Sequence, residues 1–205
     1  DGTINLVDAC LKHNFDILIN TGSNSEYGFK NSPMKETDIL CPNSQYAVMK
    51  AAATHYCNFI GKSQNRPIVT VRPFHIYGPY EQQSRFIPKL LTKLFDNELP
   101  KLVSPNIARD MLYVDDAIDG ICNIIKKNSK GFEIFNISGG KSYSVKEVIQ
   151  ILKKINIKKL NFSFNSDQND ECYLCANNSK AKKQFGFSPL SLENGLKKLC
   201  DSNSD

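Results

Sequence analysis

The sequence lacks the features that mark membrane-spanning, disulfide-stabilised and nucleic-acid-binding proteins. Its apolar runs are far shorter than the ~20 residues that a membrane-crossing helix needs, and its start does not resemble a signal peptide. Its seven cysteines are odd in number and scattered, which favours reduced thiols and a cytoplasmic protein. Lysine and arginine form no basic stripe, so neither nucleic acid nor a membrane is predicted as a partner.

What the chain does contain is the composition of an ordinary globular protein. Its 205 residues suffice for one sizeable core, and 40% hydrophobic with 23% charged residues is typical of soluble domains. No repeat, low-complexity run or linker divides the chain. The formal net charge of +5 is mild and suits an anionic ligand such as a nucleotide diphosphate.

A buried strand followed by a turn rich in small hydroxyl residues is predicted near the start. Residues 15–21 are a largely apolar run of strand length, and residues 22–28 follow with the sequence GSNSEYG. Ligands of open α/β sheets bind at such strand ends. The turn is therefore a first candidate for a ligand site.

Tyr46 and Lys50 form a second candidate site. The segment from about Ser44 to Gly61 is predicted to be helical, and residues four apart project from the same helix face. A fixed ammonium beside a phenol favours the phenolate, so the pair can act as an acid/base. Taken alone, this spacing is more typical of surface or packing residues.

Strand, serine-rich turn, Tyr-Gly, loop and Tyr-x-x-x-Lys helix together resemble the extended short-chain dehydrogenase/reductase family of NAD-dependent nucleotide-sugar epimerases, dehydratases and reductases. The resemblance implies an α/β fold: the later part of a Rossmann-like doubly wound parallel sheet with a small C-terminal α/β substrate lobe. It makes Ser23, Tyr46 and Lys50 the expected catalytic residues. Thr21, Tyr46, Lys50 and Pro73 are the expected contacts to NAD or NADP.

Two later motifs are similar to the family's sugar-nucleotide-binding segments. RPFHIYGP, at residues 72–79, resembles Arg-x-x-Asn-x-Tyr-Gly-Pro, with His75 in place of the usual asparagine. RDMLYVDDA, at residues 109–117, looks like the segment whose arginine meets the ligand's phosphates, and a guanidinium can bind them bidentately. The resemblance implies four substrate contacts: Ser25, His75, Arg85 and Arg109.

For two of these residues a structural role without ligand contact is the alternative. His75 could be a histidine satisfied within its own loop, and Arg109 could pair only with Asp110 or a helix end. Asp115 and Asp116 are predicted to cap a helix from Ala117 to Lys126, because acidic residues favour helix starts.

No metal site is predicted. Cys172 and Cys175 are closely spaced, but no second Cys/His pair lies at ligand spacing, so we interpret the cysteine pair as incidental.

The resemblance also implies that the first half of the nucleotide-binding domain is missing. Residues 2–13 are predicted to form an amphipathic helix, and the eleven glycines include no Gly-x-Gly-x-x-Gly spacing or its variant. We expect residues 1–75 to form the C-terminal part of the NAD(P)-binding domain with the catalytic residues. Residues 76–205 would form mainly the substrate lobe, with about 107–140 returning to the first domain.

The serine turn decides which reaction is expected. Family members that act as 4,6-dehydratases carry Thr-Asp-Glu there, and the two carboxyl groups drive the elimination of water. This sequence has Ser23, Asn24 and Ser25 instead, and Asn24 and Ser25 cannot transfer the protons that elimination requires. We expect an NAD(P)-dependent 4-epimerase or 4-keto-reductase of a nucleoside-diphosphate sugar, in a homodimer formed through the Tyr46 helix and its neighbour. The alternative is a catalytically inactive fragment or a non-catalytic sugar-nucleotide-binding subunit without the dinucleotide fingerprint.

Overall fold

The computed structural model describes residues 2–30, 33–95, 101–102, 107–127, 130–155, 163–164 and 172–202. The helices are α1 (Gly2–Leu11), α2 (Gln45–Ser63), α3 (Phe86–Phe95), α4 (Val114–Lys126), α5 (Val145–Lys154), α6 (Ser179–Phe185) and α7 (Leu192–Ser202), with a 3-10 turn at Asn24–Tyr27. The strands are β1 (Leu18–Thr21), β2 (Ile68–Pro73), β3 (His75–Tyr77), β4 (Lys101–Leu102), β5 (Ile107–Tyr113), β6 (Phe132–Ile137), β7 (Ser142–Ser144), β8 (Ser163–Phe164) and β9 (Cys172–Leu174).

A parallel sheet in the order β1-β2-β6 joins two strands from the first half of the chain to one from the second half. β2 is rich in β-branched residues and is buried along nearly its whole length, as expected for a central parallel strand. Its side chains alternate between two layers: Ile68 packs with α1 and α2, whereas Val69 and Val71 pack with α4 and α6. The predicted α/β class, with helices on both faces of a parallel sheet, is confirmed.

β5 is the centre of a second assembly of strands. Its last residues pair in parallel with β3, while its first residues lie between antiparallel β7 and parallel β9. A separate core packs α3, α5 and α7 against this assembly, with Leu90, Leu152 and Leu196 fully buried. β2 and β3 belong to different sheets, and the predicted boundary after residue 75 lies one residue inside β3.

Local start signals determine where two helices begin. The Ser44 hydroxyl accepts a hydrogen bond from the Ala47 amide (3.2 Å) and so caps α2. Ser144 and Glu147 form the reciprocal capping box that opens α5. α2 begins where the sequence predicts, and the Ser-x-x-Glu pattern at residues 144–147 likewise indicates the start of α5.

The predicted capping role of Asp115 and Asp116 is wrong. α4 begins earlier, at Val114, and its N-cap residue Tyr113 makes no side-chain capping bond. Asp115 instead pairs with Lys198 (2.5 Å), and Asp116 accepts a hydrogen bond from the Leu190 amide (2.9 Å). Both carboxylates tie α4 to the C-terminal part of the described chain.

None of the described helices is long and apolar enough to span a bilayer.

Candidate active site

The serine turn begins where β1 ends, at the carboxyl edge of the parallel sheet. Thr21 is the last residue of β1, and the Gly22 amide continues the strand pairing by donating to the Val71 carbonyl (2.8 Å). The Ser23 oxygen then accepts two hydrogen bonds, from the Ser25 amide (3.2 Å) and the Ser25 hydroxyl (2.7 Å). Of the two predicted serines, Ser23 is buried and Ser25 is half-buried beside it.

Tyr46 and Lys50 lie in the first turns of α2, which packs against the serine turn. The Lys50 ammonium donates to the Thr21 carbonyl oxygen (2.7 Å) and lies 5.8 Å from the centroid of the Tyr46 ring. The Tyr46 side chain is 59% exposed. The structure therefore places Thr21, Ser23, Tyr46 and Lys50 around one edge of the sheet, with the phenol accessible to a ligand.

Pro73 ends β2 at the same edge of the sheet. It pairs with Ile137, the last residue of β6, and is half-buried. The carboxyl ends of all three parallel strands thus meet near the serine turn, which is where ligands of open α/β sheets bind.

A second group of predicted residues lines a separate cleft of about 390 Å³. His75 enters it from β3, Arg109 from β5, and Arg85 from the segment before α3. Tyr143 and Met111 contribute to its walls. All predicted substrate contacts except Ser25 therefore share one cleft, and Ser25 remains in the serine turn.

The charges in this cleft favour an anionic ligand. Arg85 is bonded to Glu81, with 3.4 Å between Nε and Oε1, and burial raises the pKa of the Glu81 carboxyl. Burial and the charges of Arg109 and Arg85 lower the pKa of His75 to about 4, so the imidazole is neutral at physiological pH. Among the described residues that line the cleft are two guanidinium groups and one carboxylate, a balance that suits an anionic ligand.

A buried polar network beneath the serine turn is not predicted from the sequence. Glu26 is fully buried; one of its oxygens accepts the Ser23 amide (2.8 Å), and the other accepts Arg72 Nε (2.9 Å). Arg72 also donates to the Tyr27 hydroxyl (2.9 Å), which donates to Asn136 (2.8 Å). One feature of the sequence indicates such a network: Arg72 lies at the end of a largely apolar strand, and an arginine buried there needs a partner.

Asp110 is a second buried carboxylate, and the sequence suggested for it only a pairing with Arg109. It accepts hydrogen bonds from the backbone amides of Gly140 (3.1 Å) and Ala176 (3.0 Å), and so joins β5 to two distant segments. Burial raises its pKa to about 7, against the lowering effect of these amides. Asp110 is therefore committed to the backbone beneath the cleft rather than to Arg109.

The described residues offer no protein-only metal centre. No group of three or more His, Cys, Asp or Glu side chains within them could hold a metal ion. Cys175 is buried with a free thiol, and burial raises its pKa.

Comparison with known proteins identifies the family. The sequence pattern of the NAD dependent epimerase/dehydratase family matches residues 1–138. The chain belongs to this family. It is 29% identical over 195 residues to the uncharacterized UDP-glucose epimerase YtcB of Bacillus subtilis, covering 93% of this chain and 61% of the relative. It is 25% identical over 201 residues to a dTDP-glucose 4,6-dehydratase of Streptomyces griseus, covering 95% and 61%.

Solved structures agree with this membership. The crystal structure of UDP-glucuronic acid 4-epimerase from Bacillus cereus, in complex with UDP-glucuronic acid and NAD, matches with a TM-score of 0.85 and 30% identity. The match covers 97% of this chain and 65% of the epimerase. The chain thus spans less than two thirds of the length of these relatives. The predicted Rossmann-like fold is confirmed by this likeness.

Proposed function

We propose that this chain carries the catalytic and substrate-binding part of an NAD(P)-dependent nucleotide-sugar enzyme, acting as a 4-epimerase or 4-keto-reductase. The choice of these reactions over dehydration rests on the burial and bonding of Glu26, the only carboxylate in the serine turn. Glu26 is fully buried and bonded to Arg72, while Asn24 and Ser25 occupy the positions where dehydratases carry acidic residues. The turn offers hydroxyl groups to a substrate and no acid that could eliminate water.

Ser23 is suited to hydrogen-bond the reacting oxygen. Its own oxygen already accepts two hydrogen bonds from Ser25, so its hydroxyl hydrogen is left to donate outward. Tyr46 would exchange a proton with the sugar hydroxyl, because its exposed phenol can be reached from solvent. A serine donor steadies charge on that oxygen as the alcohol becomes a ketone.

Lys50 fits a role toward both the phenol and the cofactor. One of its three ammonium hydrogens is used on the Thr21 carbonyl, which fixes the side chain at the sheet edge and leaves two donors for a ribose diol. A bound nicotinamide would supply the acceptor and donor of hydride. Thr21 and Pro73, at the ends of β1 and β2, would border it.

The cleft of His75, Arg85 and Arg109 would hold the nucleoside diphosphate. Its two guanidinium groups suit phosphate oxygens, and its apolar walls, which include Met111 and Val145, suit the rest of the ligand. The similarity to an epimerase crystallised with UDP-glucuronic acid supports a uridine nucleotide.

Product analysis tests this function directly. The purified protein is incubated with NAD and UDP-glucuronic acid or UDP-glucose, and separately with a 4-keto sugar nucleotide and NADH or NADPH. We expect a C4 epimer in the first reactions or a reduced 4-hydroxy sugar in the second, and at least about 100-fold slower formation of either product with Tyr46→Phe. Formation of a 4-keto-6-deoxy sugar would overturn the choice against a dehydratase.

We also infer a homodimer formed through α1 and α2. Both helices expose large apolar side chains: Leu6 on α1 is 60% exposed, and Met49 and Phe59 on α2 are 56% and 64% exposed. Exposed apolar groups on neighbouring helices are typical of a surface that is covered by a partner. Light scattering should give the mass of a dimer, and Phe59→Lys should give that of a monomer. A monomeric unsubstituted protein would contradict the inference.

A further inference from the structure

Glu26 divides its two carboxylate oxygens between the catalytic turn and the sheet. Oε1 accepts the Ser23 amide at 2.8 Å, and Oε2 is 2.9 Å from both Nε and Nη2 of Arg72. Both side chains are almost completely buried, so the pair is shielded from solvent. A carboxylate held this way is costly to displace, because removing either partner leaves an uncompensated buried charge.

Gly22 provides the space that this arrangement needs. A Cβ atom at residue 22 would lie only 2.4 Å from Glu26 Oε1 and 2.9 Å from a methyl carbon of Thr70. Any larger residue would therefore push the carboxylate away from the Ser23 amide. The placement of each of these residues therefore depends on the others. Gly22 and Glu26 lie in the serine turn, whereas Arg72 lies in β2, 46 residues after Glu26.

We propose that Glu26, accommodated by Gly22 and held by Arg72, is the positioning residue that fixes Ser23 for the reaction. This inference rests on the proposed function. Ser23 has extended backbone angles (φ −161°, ψ 148°) and initiates the 3-10 turn, so the Glu26 contact to its amide sets the direction in which its hydroxyl points. Moving that hydroxyl by even a fraction of an ångström would weaken its contact with the reacting oxygen.

The decisive variant is Glu26→Asp. Aspartate keeps the charge that Arg72 needs but is one methylene too short to reach both Arg72 and the Ser23 amide. Tyr27→Phe is the matched control, because it removes the hydroxyl that bonds the same arginine (2.9 Å) and Asn136 (2.8 Å) and leaves Glu26 in place. Thermal unfolding of both variants reports their loss of stability.

Two readouts separate positioning from mere stability. We expect amide hydrogen exchange in a peptide containing Ser23 to rise at least about tenfold in Glu26→Asp and to stay within about twofold in Tyr27→Phe. We expect kcat to fall about 10- to 100-fold in Glu26→Asp with KM within about threefold, and kcat of Tyr27→Phe to change less than about twofold.

Unchanged exchange at Ser23 in Glu26→Asp, or equal kcat losses in both variants, would overturn the proposal. If Glu26→Asp does not fold, Gly22→Ala displaces the carboxylate without altering any charge and is expected to give the same pair of changes. If the unsubstituted protein turns over no sugar nucleotide, the proposed function fails, while the exchange measurement still decides whether Glu26 fixes Ser23.

Discussion

Replacing His75 with asparagine should make folding less sensitive to acid between pH 6.5 and 4. The imidazole lies in the cleft with Arg85 and Glu81 from the segment before α3, Arg109 from β5 and Tyr143 from β7. Burial and the two arginines lower its pKa from the ordinary 6.5 to about 4. Asparagine has no proton to gain and fills a similar space.

The lowered pKa of His75 determines the sign and size of the effect on stability. Below pH 6.5 the unfolded chain binds a proton at His75, whereas the folded protein does not until about pH 4, so stability is lost as pH falls through this window. Each tenfold change in a protonation equilibrium corresponds to about 1.4 kcal/mol, so the complete displacement is worth roughly 3 kcal/mol. His75 is only partly exposed, so solvent screening removes a modest part of this.

Urea unfolding at pH 7.5, 6, 5 and 4.5 measures the difference. We expect the free energy of unfolding of the unsubstituted protein to fall about 2 kcal/mol further than that of His75→Asn between the first and last pH. Other titrating groups are common to both proteins, so the difference isolates His75. Parallel curves for the two proteins would refute a neutral, desolvated histidine in the cleft.

Three further predictions concern the site and its support. Tyr46→Phe should lower kcat by roughly two to four orders of magnitude in a steady-state assay, because it removes the proposed acid/base, and retained activity would exclude that role. Arg109→Met should weaken UDP binding about 10- to 100-fold by calorimetry, with Arg109→Lys intermediate because it keeps charge but not the bidentate fork; equal affinity in all three proteins would contradict a phosphate contact. Burial raises the pKa of Asp110 to about 7, so its stabilising effect is complete near pH 4 and lost as pH rises to 7. Asp110→Asn should therefore cost most stability at acid pH in thermal unfolding, and a cost that grows with pH would contradict this.

Features fixed by nearby residues could be predicted from the sequence. Ser44 caps α2 through an amide three residues away, and Ser144 and Glu147 form their capping box within one turn. The proposed catalytic residues Ser23, Tyr46 and Lys50, and Arg109 among the proposed substrate contacts, are predictions that rest on motifs resembling a known family. That resemblance also implies that His75, Arg85 and Arg109 contact the substrate, and the three side chains line one cleft.

Features fixed by distant partners could not be predicted. Asp115 and Asp116 have the composition of a helix start, but Lys198 and the Leu190 amide compete for their carboxylates through tertiary contacts. Glu26 and Arg72 likewise find each other only when β2 pairs with β1. Residue type shows that a buried charge needs a partner, but only the fold shows which one.

Equilibrium titration with NADH and NADPH, followed by nicotinamide fluorescence, tests the central claim most directly. We propose that the edge formed by Thr21, Ser23, Tyr46 and Lys50 receives a nicotinamide cofactor. We predict saturable binding of at least one cofactor, weakened about tenfold or more in Lys50→Met, which keeps an unbranched side chain of similar length and removes its charge-assisted hydrogen bonds. A folded protein that binds neither cofactor, or a Lys50→Met variant with unchanged affinity, would contradict the account.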